Sequence, residues 1–362
     1  MFADPPDAGQ LLNEQRQMQQ ELPKRPPAVI EQDTGRAPTP EPGLKVKVKG
    51  FKFSRIEAVA NSAELADLLK DAIGRELGIA DLQALAARVT NYLREEKGFL
   101  LARAYLPRQD ITDGIIEIAI IAGRTEGKVL IDMQGPRRIR EGLLEGIAAR
   151  SVTEGEALRL KDIEEAVLSM NDLPGISARA SLERGDIPGT TKLVIRATEG
   201  PLLGAFLSFD NFGDRYTGIR RAHAQISAND PSGLGDQLTL GITGAEDIKQ
   251  FRASYALPLG SSGMTWSVYF SHLVYTLGSD FEELDADGSA QTLGTSLGYA
   301  LLRTRDAGIR AGLGYENLIL RDEAGGSEIR KRTVAVGNAG LNGSFFDGLG
   351  GGGLTNVNIT LY

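Results

Sequence analysis

The spacing of apolar and polar positions divides the chain into an alternating half and a helix-bearing half. From about Pro201 to Tyr362 the period is two. In Gly263–Tyr275, Trp266, Val268, Phe270 and Val274 alternate with Thr265, Ser267, Tyr269 and Ser271. In Gln291–Leu301, Leu293, Leu297, Tyr299 and Leu301 alternate with Thr292, Gly294, Ser296 and Gly298. Such alternation puts the two sets on opposite faces of a strand. An apolar face backed by small, polar and glycine residues predicts a transmembrane β-barrel wall, with lipid on one side and water on the other. A soluble sandwich would need a bulkier buried face. About nine strands are expected, near 202–210, 219–229, 235–243, 249–257, 264–275, 290–302, 307–319, 330–343 and 352–362. The connections at Asp230–Gly235, Leu259–Gly263 and Arg303–Asp306 are compact, while those at Gly278–Gly288 and Arg321–Lys331 are longer or more charged. Short turns on one rim and long loops on the other is the build of such barrels. With the chain entering at the short-turn rim, Asp210–Gly218 and the acidic loop of Asp280, Glu282, Glu283, Asp285 and Asp287 lie at the opposite rim.

Upstream, helical spacing takes over. Residues 44–123 read strand, helix, helix, strand, strand. Lys45–Lys49 alternates as a strand. Asn61 or Ser62 caps a helix through Leu65, Leu68, Leu69, Ala72 and Ile73, and Asp81 opens a second through Leu85, Val89, Tyr92 and Leu93, stopped near Gly98. Leu100–Leu106 and Ile115–Ile121 then form a hairpin. Residues 124–200 have the same order: a strand at Val129–Met133, helices from Pro136 and over Leu160–Leu173, strands at Ser177–Leu182 and Lys192–Ala197. The units also align directly, Ala102-Arg-Ala-Tyr-Leu-Pro-Arg-Gln-Asp110 with Ala178-Arg-Ala-Ser-Leu-Glu-Arg-Gly-Asp186, so a small domain is duplicated. Ahead of both, residues 1–21 contain a polar amphipathic helix with Leu11, Met18 and Leu22 on one stripe, too short to be stable alone. The segment 22–43, with Pro23, Pro26, Pro27, Pro38, Pro40 and Pro42, is a semi-extended linker.

Composition narrows this picture further. The 362 residues suffice for two or three domains. A net charge of −8 and the lack of a basic footprint argue against a nucleic-acid partner. With no cysteine, disulfides and thiolate metal sites are excluded. No apolar run reaches the roughly 18 residues of a transmembrane helix, which says nothing against strands. Met1-Phe-Ala-Asp-Pro-Pro lacks the basic and apolar regions of a secretory signal, so either a signal has been removed or this is not the native start.

Several motifs point to chemistry only formally. Gly348-Leu-Gly-Gly-Gly-Gly353 matches a dinucleotide fingerprint, but an alternating strand follows where a helix is required. Asp285-Ala-Asp-Gly-Ser lacks the spacing and the closing Glu of a calcium loop. His223 shares a face with Arg221, Gln225 and Ser227, whereas His272 is in phase with Phe270 and Val274, and neither has a nucleophile motif beside it. Arg221, His223, Gln225, Arg252, Arg310 and Glu316 fall on the polar face and are candidate lumen-lining residues, tuning a water-filled path or pairing across it. No catalytic residue, metal or cofactor is implied.

The whole chain resembles the two-partner secretion transporters, which carry polypeptide-transport-associated (POTRA) domains ahead of an outer-membrane barrel. Gly98–Asp110, Asn171-Asp-Leu-Pro-Gly175 and Asp210-Asn-Phe-Gly-Asp-Arg-Tyr-Thr-Gly218 carry the resemblance most specifically, and the early helix with its linker is similar to the family's movable plug. The implied fold is α+β followed by all-β: POTRA-like domains at 44–123 and 124–200, then the first half of an antiparallel barrel at 201–362. The implied function is export of a secreted client polypeptide of haemolysin or adhesin type, with the POTRA domains in the periplasm of a Gram-negative bacterium and the barrel in outer-membrane lipid. Strand addition at Leu100–Leu106 is the expected mode of client capture, with Leu101, Arg103 and Tyr105 at the client and Ala102, Ala104 and Leu106 toward the core. The family's Val-Arg-Gly-aromatic motif does not occur here. Nine strands are too few for an aqueous channel, and Tyr362 falls out of phase with Val357, Ile359 and Leu361, so the expectation is a break partway through the barrel. An outer-membrane assembly factor, or a non-inserting periplasmic binding module, are the alternatives.

Overall fold

The computed structural model describes residues 7–17, 45–56, 59–110, 113–187, 189–214, 216–278, 283–348 and 351–362. The linker expected at 22–43, together with Met18 and Leu22, lies outside them. The first element is helix α1 (Ala8–Gln17).

The next unit places β1 (Val46–Lys47), β2 (Gly50–Ser54), α2 (Ser62–Leu68), β3 (Glu76–Leu77), α3 (Ile79–Asn91), β4 (Arg103–Tyr105) and β5 (Ile115–Ile121) in order. Asn61 caps α2 by accepting from the Ala63 amide, and Asp81 accepts from the Gly78 amide at the start of α3. The strand expected at Lys45–Lys49 is mostly displaced: β1 is a two-residue ladder with β3, and β2 is the strand that enters the main sheet, parallel to β5. Strand β4 is also shorter than expected, because Leu100 and Leu101 turn away to pack on the following unit. The sheet order is β2-β5-β4. Ile116, Ile118 and Ile120 of β5 are buried against Leu65, Leu69, Leu82, Val89 and Leu93 of the helical layer.

The second unit holds β6 (Arg124–Thr125), β7 (Leu130–Gln134), α4 (Glu141–Ser151), α5 (Leu160–Asn171), β8 (Ile176–Arg184) and β9 (Thr190–Glu199). Its pairing repeats that of the first: β7 runs parallel to β9, and β8 runs antiparallel to it. Pro136 does not begin the helix. Residues Arg137–Arg140 run ahead of α4, and Ile139 is buried there. Glu199 fixes that segment, since its fully buried carboxylate accepts from the Arg138 amide at 3.0 Å and the Ile139 amide at 2.6 Å and pairs with the Arg138 guanidinium at 3.3 Å.

From Leu203 the chain forms β10 (Leu203–Asp210), β11 (Arg221–Asn229), β12 (Gln237–Gly244), β13 (Ile248–Pro258), β14 (Met264–Thr276), β15 (Ala286–Arg303), β16 (Ala307–Ala324), β17 (Ser327–Asp347) and β18 (Gly353–Leu361). They pair consecutively and antiparallel as one nine-stranded sheet with β10 and β18 at its edges, and the sheet does not close. The faces segregate as alternation demands: Leu293 and Leu313 are 58% and 61% exposed, while Thr292 and Ser271 on the other face are 1% and 5% exposed. The loop expected at Arg321–Lys331 is replaced by ladder. Pairing continues through Ala324↔Ser327, and Gly325-Gly326, both at positive φ (56° and 71°), make a two-residue turn whose twist matches that of the strands.

The second unit packs under the compact-turn rim. Arg303 donates to both Asp172 oxygens at 2.8 and 2.6 Å, and the Arg140 amide donates to Gly233 at 3.0 Å. In that turn Asp236 accepts from the amide and hydroxyl of Ser232 and from the Tyr255 hydroxyl, and Asp230 accepts from the Gly235 amide.

Candidate functional site

The polar face of the sheet is occupied by α1. Alternation alone predicts a small, polar surface there, but the region beneath the helix is apolar. Leu11 and Leu12, 2% and 1% exposed, pack with Ile248, Leu273, Tyr275, Leu277, Ala290 and Leu320. A helix this short does not hold itself in water, so its seat must supply apolar area. The stripe that seats it is Ala8, Leu11, Leu12 and Gln15.

Polar contacts fix the helix at both ends. At its start, Asp7 pairs with Arg332 at 2.7 Å and with Arg330 at 3.5 Å, and the Ala8 amide donates to Asp322 at 3.1 Å. Asp322 also accepts from the Tyr275 hydroxyl at 2.7 Å. At its end, Arg16 donates to both oxygens of Glu316 at 3.0 and 3.4 Å, and the Tyr269 hydroxyl donates to the same carboxylate at 2.9 Å. Gly294 makes this possible: a Cβ there would collide with the Tyr269 ring that crosses it.

Beside the helix lies a cavity of about 850 Å³, lined by polar residues, among them Gln15, Arg16, Arg221, His223, Gln225 and Arg252, and by the rings of Phe206, Tyr269 and Phe270. Of the lumen candidates, Arg221 pairs with Asp210 at 2.8 Å, His223 Nδ1 lies 2.9 Å from the Thr243 hydroxyl, and Gln225 donates to Ser227 at 3.4 Å. Glu316 reaches this group through Arg16. Arg310 is on the same face but stands apart, exposed near Gly298. Asp322, Tyr275 and Arg332 were not among the sequence candidates. The signal available was a tyrosine in phase with small residues, Tyr275 two positions beyond Leu273.

The expected client strand is arranged differently from expectation. Leu101 is not on it, packing instead with the core of the second unit, while Arg103 is exposed and Tyr105 half-buried. The outward backbone groups of β4 are already bonded: the Ala104 amide donates to the Thr90 hydroxyl at 2.9 Å, and Arg94 donates to the Ala102 carbonyl at 2.9 Å. The second unit closes the corresponding edge likewise, with Asn171 bonded to both the amide and the carbonyl of Ala178 at 2.6 and 3.1 Å. Among the described residues no group of three or more potential ligands could hold a metal ion. The glycine run after Gly348 lies partly outside the described residues, and where they resume the chain enters β18.

Family comparison fits this architecture. Residues 46–123 match the POTRA domain, ShlB-type, and residues 189–358 match the haemolysin secretion/activation protein family ShlB/FhaC/HecB. The chain belongs to the two-partner secretion transporters of haemolysin secretion/activation type. Its place is the outer membrane, with the POTRA unit on the periplasmic side. The chain is 27% identical over 352 residues to the heme/hemopexin transporter protein HuxB of Haemophilus influenzae, covering 95% of this chain and 62% of that one. It is 26% identical over 306 residues to the outer membrane transporter CdiB of Escherichia coli, covering 81% of this chain and 50% of that one. A solved structure of CdiB from Escherichia coli superposes with a TM-score of 0.67 at 25% identity, over 98% of this chain and 65% of the other. The chain thus spans between half and two thirds of the length of these relatives.

Proposed function

We propose that the chain acts as part of an outer-membrane translocator that exports a large secreted partner protein of the haemolysin or adhesin type by the two-partner route. Residues 44–123 and 124–200 are its two POTRA units, facing the periplasm, and residues 1–21 are a plug for the transport path. One observation carries this reading: a short helix that cannot stand alone is held on the polar face of a membrane sheet by a small apolar seat and by ion pairs at both of its ends. Such a helix can be removed, and its departure uncovers its small apolar seat and, beside it, a polar surface bearing Arg221, His223, Gln225, Arg252 and Glu316. An extended polypeptide finds hydrogen-bond partners there and little apolar area to retain it. Export then requires no catalytic group, only capture below, passage along the polar face and folding outside.

The test is secretion of a candidate partner of haemolysin or adhesin type, with both proteins produced in an Escherichia coli strain lacking other two-partner transporters. Appearance of the partner at the surface only when this protein is present is the expected result. A partner that stays in the periplasm, with defective assembly of unrelated barrels on depletion, would assign the assembly-factor role instead.

A further inference from the structure

We infer that Arg252 is the centre of an oxyanion site in the wall of the transport path, where it takes the carboxylates of an acidic stretch of polypeptide in passage. The inference rests on the reading of the polar face as that path, and names the chemistry the path selects.

The first observation is an uncommitted charge. Three guanidiniums line the cavity beside α1, and two of them already hold carboxylates, Arg16 with Glu316 and Arg221 with Asp210. Among the described residues no hydrogen bond or ion pair reaches Arg252, and the charge that acts on it, Arg16, has the same sign. Arg252 lies half-buried on β13, on the polar face of the sheet. A cation in that position has lost part of its hydration without gaining a counterion, whereas charged side chains within a membrane wall ordinarily pair. A salt bridge that served the fold alone would be closed, as those of Arg16 and Arg221 are.

The second observation is the space and chemistry around it. Directly across from Arg252 on β12 stands Gly241, and a Cβ built there would meet nothing nearer than 3.8 Å, so side-chain room is open next to the guanidinium. Hydroxyls border the gap. Thr239 and Thr243 flank Gly241 on the same face, and Ser254 stands two residues from Arg252. Asp210, the carboxylate on this wall, is held by Arg221 and does not offset the charge of Arg252. A guanidinium presents a planar fork of donors that matches two oxygens of a carboxylate, and neighbouring hydroxyls donate to the lone pairs that remain. A cleft with one sign of net charge and low-dielectric walls concentrates ions of the other sign. A single guanidinium gives a weak hold, so an acidic stretch is drawn in and released.

The test uses the full chain in detergent, where the absence of cysteine lets Ser254→Cys supply the only thiol. Its modification rate is measured with an anionic (sulfonatoethyl) and a cationic (trimethylammonioethyl) methanethiosulfonate, each divided by the rate of the same reagent with free cysteine. Two residues along a strand span about 7 Å, and at that range the expected preference for the anionic reagent is roughly tenfold. Arg252→Gln should remove most of this preference and Arg252→Lys should retain it. Arg310→Gln, which removes an exposed cation standing apart on the same face, should leave it unchanged. At constant ionic strength, a hexaglutamate peptide should slow the anionic reagent and a hexalysine peptide should not. A preference that survives Arg252→Gln, or that falls equally in Arg310→Gln, would overturn the inference. Should Arg252→Gln fail to fold, protection by hexaglutamate in the Ser254→Cys chain decides, and its absence overturns the inference. Protection by acetate or inorganic phosphate equal to that by hexaglutamate, at matched charge, would overturn the assignment to a polypeptide and leave a site for small anions. Failure of the translocator reading is distinguishable, since the partner would then stay in the periplasm while the labelling preference persists.

Discussion

Replacing Leu12 by Ala should release α1 from the sheet without disturbing the sheet. Leu12 is 1% exposed and lies in the cluster with Leu273, Tyr275 and Leu320, so truncation removes its apolar contacts and leaves a cavity. Such a change costs about 2–3 kcal/mol at a buried leucine. Because the helix has little stability of its own, nearly all of that cost falls on the seated state. At about 1.4 kcal/mol per tenfold, the population of the unseated state should rise roughly 30- to 140-fold. Ala8 is 0% exposed and the chain has no native cysteine, so maleimide labelling of Ala8→Cys reports opening directly. In the regime where closing outruns labelling, the rate follows the open population, and Leu12→Ala should accelerate it by the same factor. Leu12→Met, which keeps the volume, should cost under about 1.5 kcal/mol and accelerate labelling by roughly tenfold at most. An acceleration below threefold for Leu12→Ala would mean that the apolar seat does not hold the helix, and the argument for a removable plug would lose its basis.

Other perturbations test the supports of this arrangement. Arg16→Met removes a partly exposed ion pair with Glu316 and should cost about 1 kcal/mol, seen as a roughly fivefold faster labelling of Ala8→Cys. Glu199→Ala strips the buried partner of Arg138 and two backbone amides, and urea unfolding should show a loss of about 3 kcal/mol in the second unit. A double-mutant cycle on Asp172 and Arg303, read by thermal melts, should give a coupling of about 0.5–1 kcal/mol between the second unit and the turn rim. Burial of Glu164 on α5 and the adjacent negative charge of Asp306 push its carboxyl up from the usual range. Protonation of that group therefore favours the folded, docked state. Its contribution is fully present below the unfolded value of 4.5 and is lost as pH rises through the elevated folded value. Glu164→Gln should raise the melting temperature at pH 7.5 and confer no advantage below pH 4.5, and an equal effect at both would refute the assignment.

Much of the architecture was legible because it depends on spacing. Period-two alternation determined which residues of 203–361 face outward, since each strand must offer one face to lipid, and Leu293 and Thr292 separate as their spacing requires. The repeat of Ala102-Arg-Ala with Ala178-Arg-Ala marked equivalent strands, and in both units the two alanines of that motif are buried. Asn61 and Asp81 marked helix starts because capping is a local interaction. Tertiary structure decided what depends on contacts distant in sequence. The apolar seat beneath α1 breaks the polar pattern of the inner face, and only the helix that fills it, some 300 residues away in the chain, explains Leu273 and Leu320. The Gly325-Gly326 turn extends a ladder where charged residues suggested a loop, because cross-strand pairing overrides local polarity. Above all, alternation shows that β2 and β4 are strands but not which edge is open. That depends on whether a helix side chain such as Thr90 or Arg94 reaches across to the strand, which only the packed chain determines.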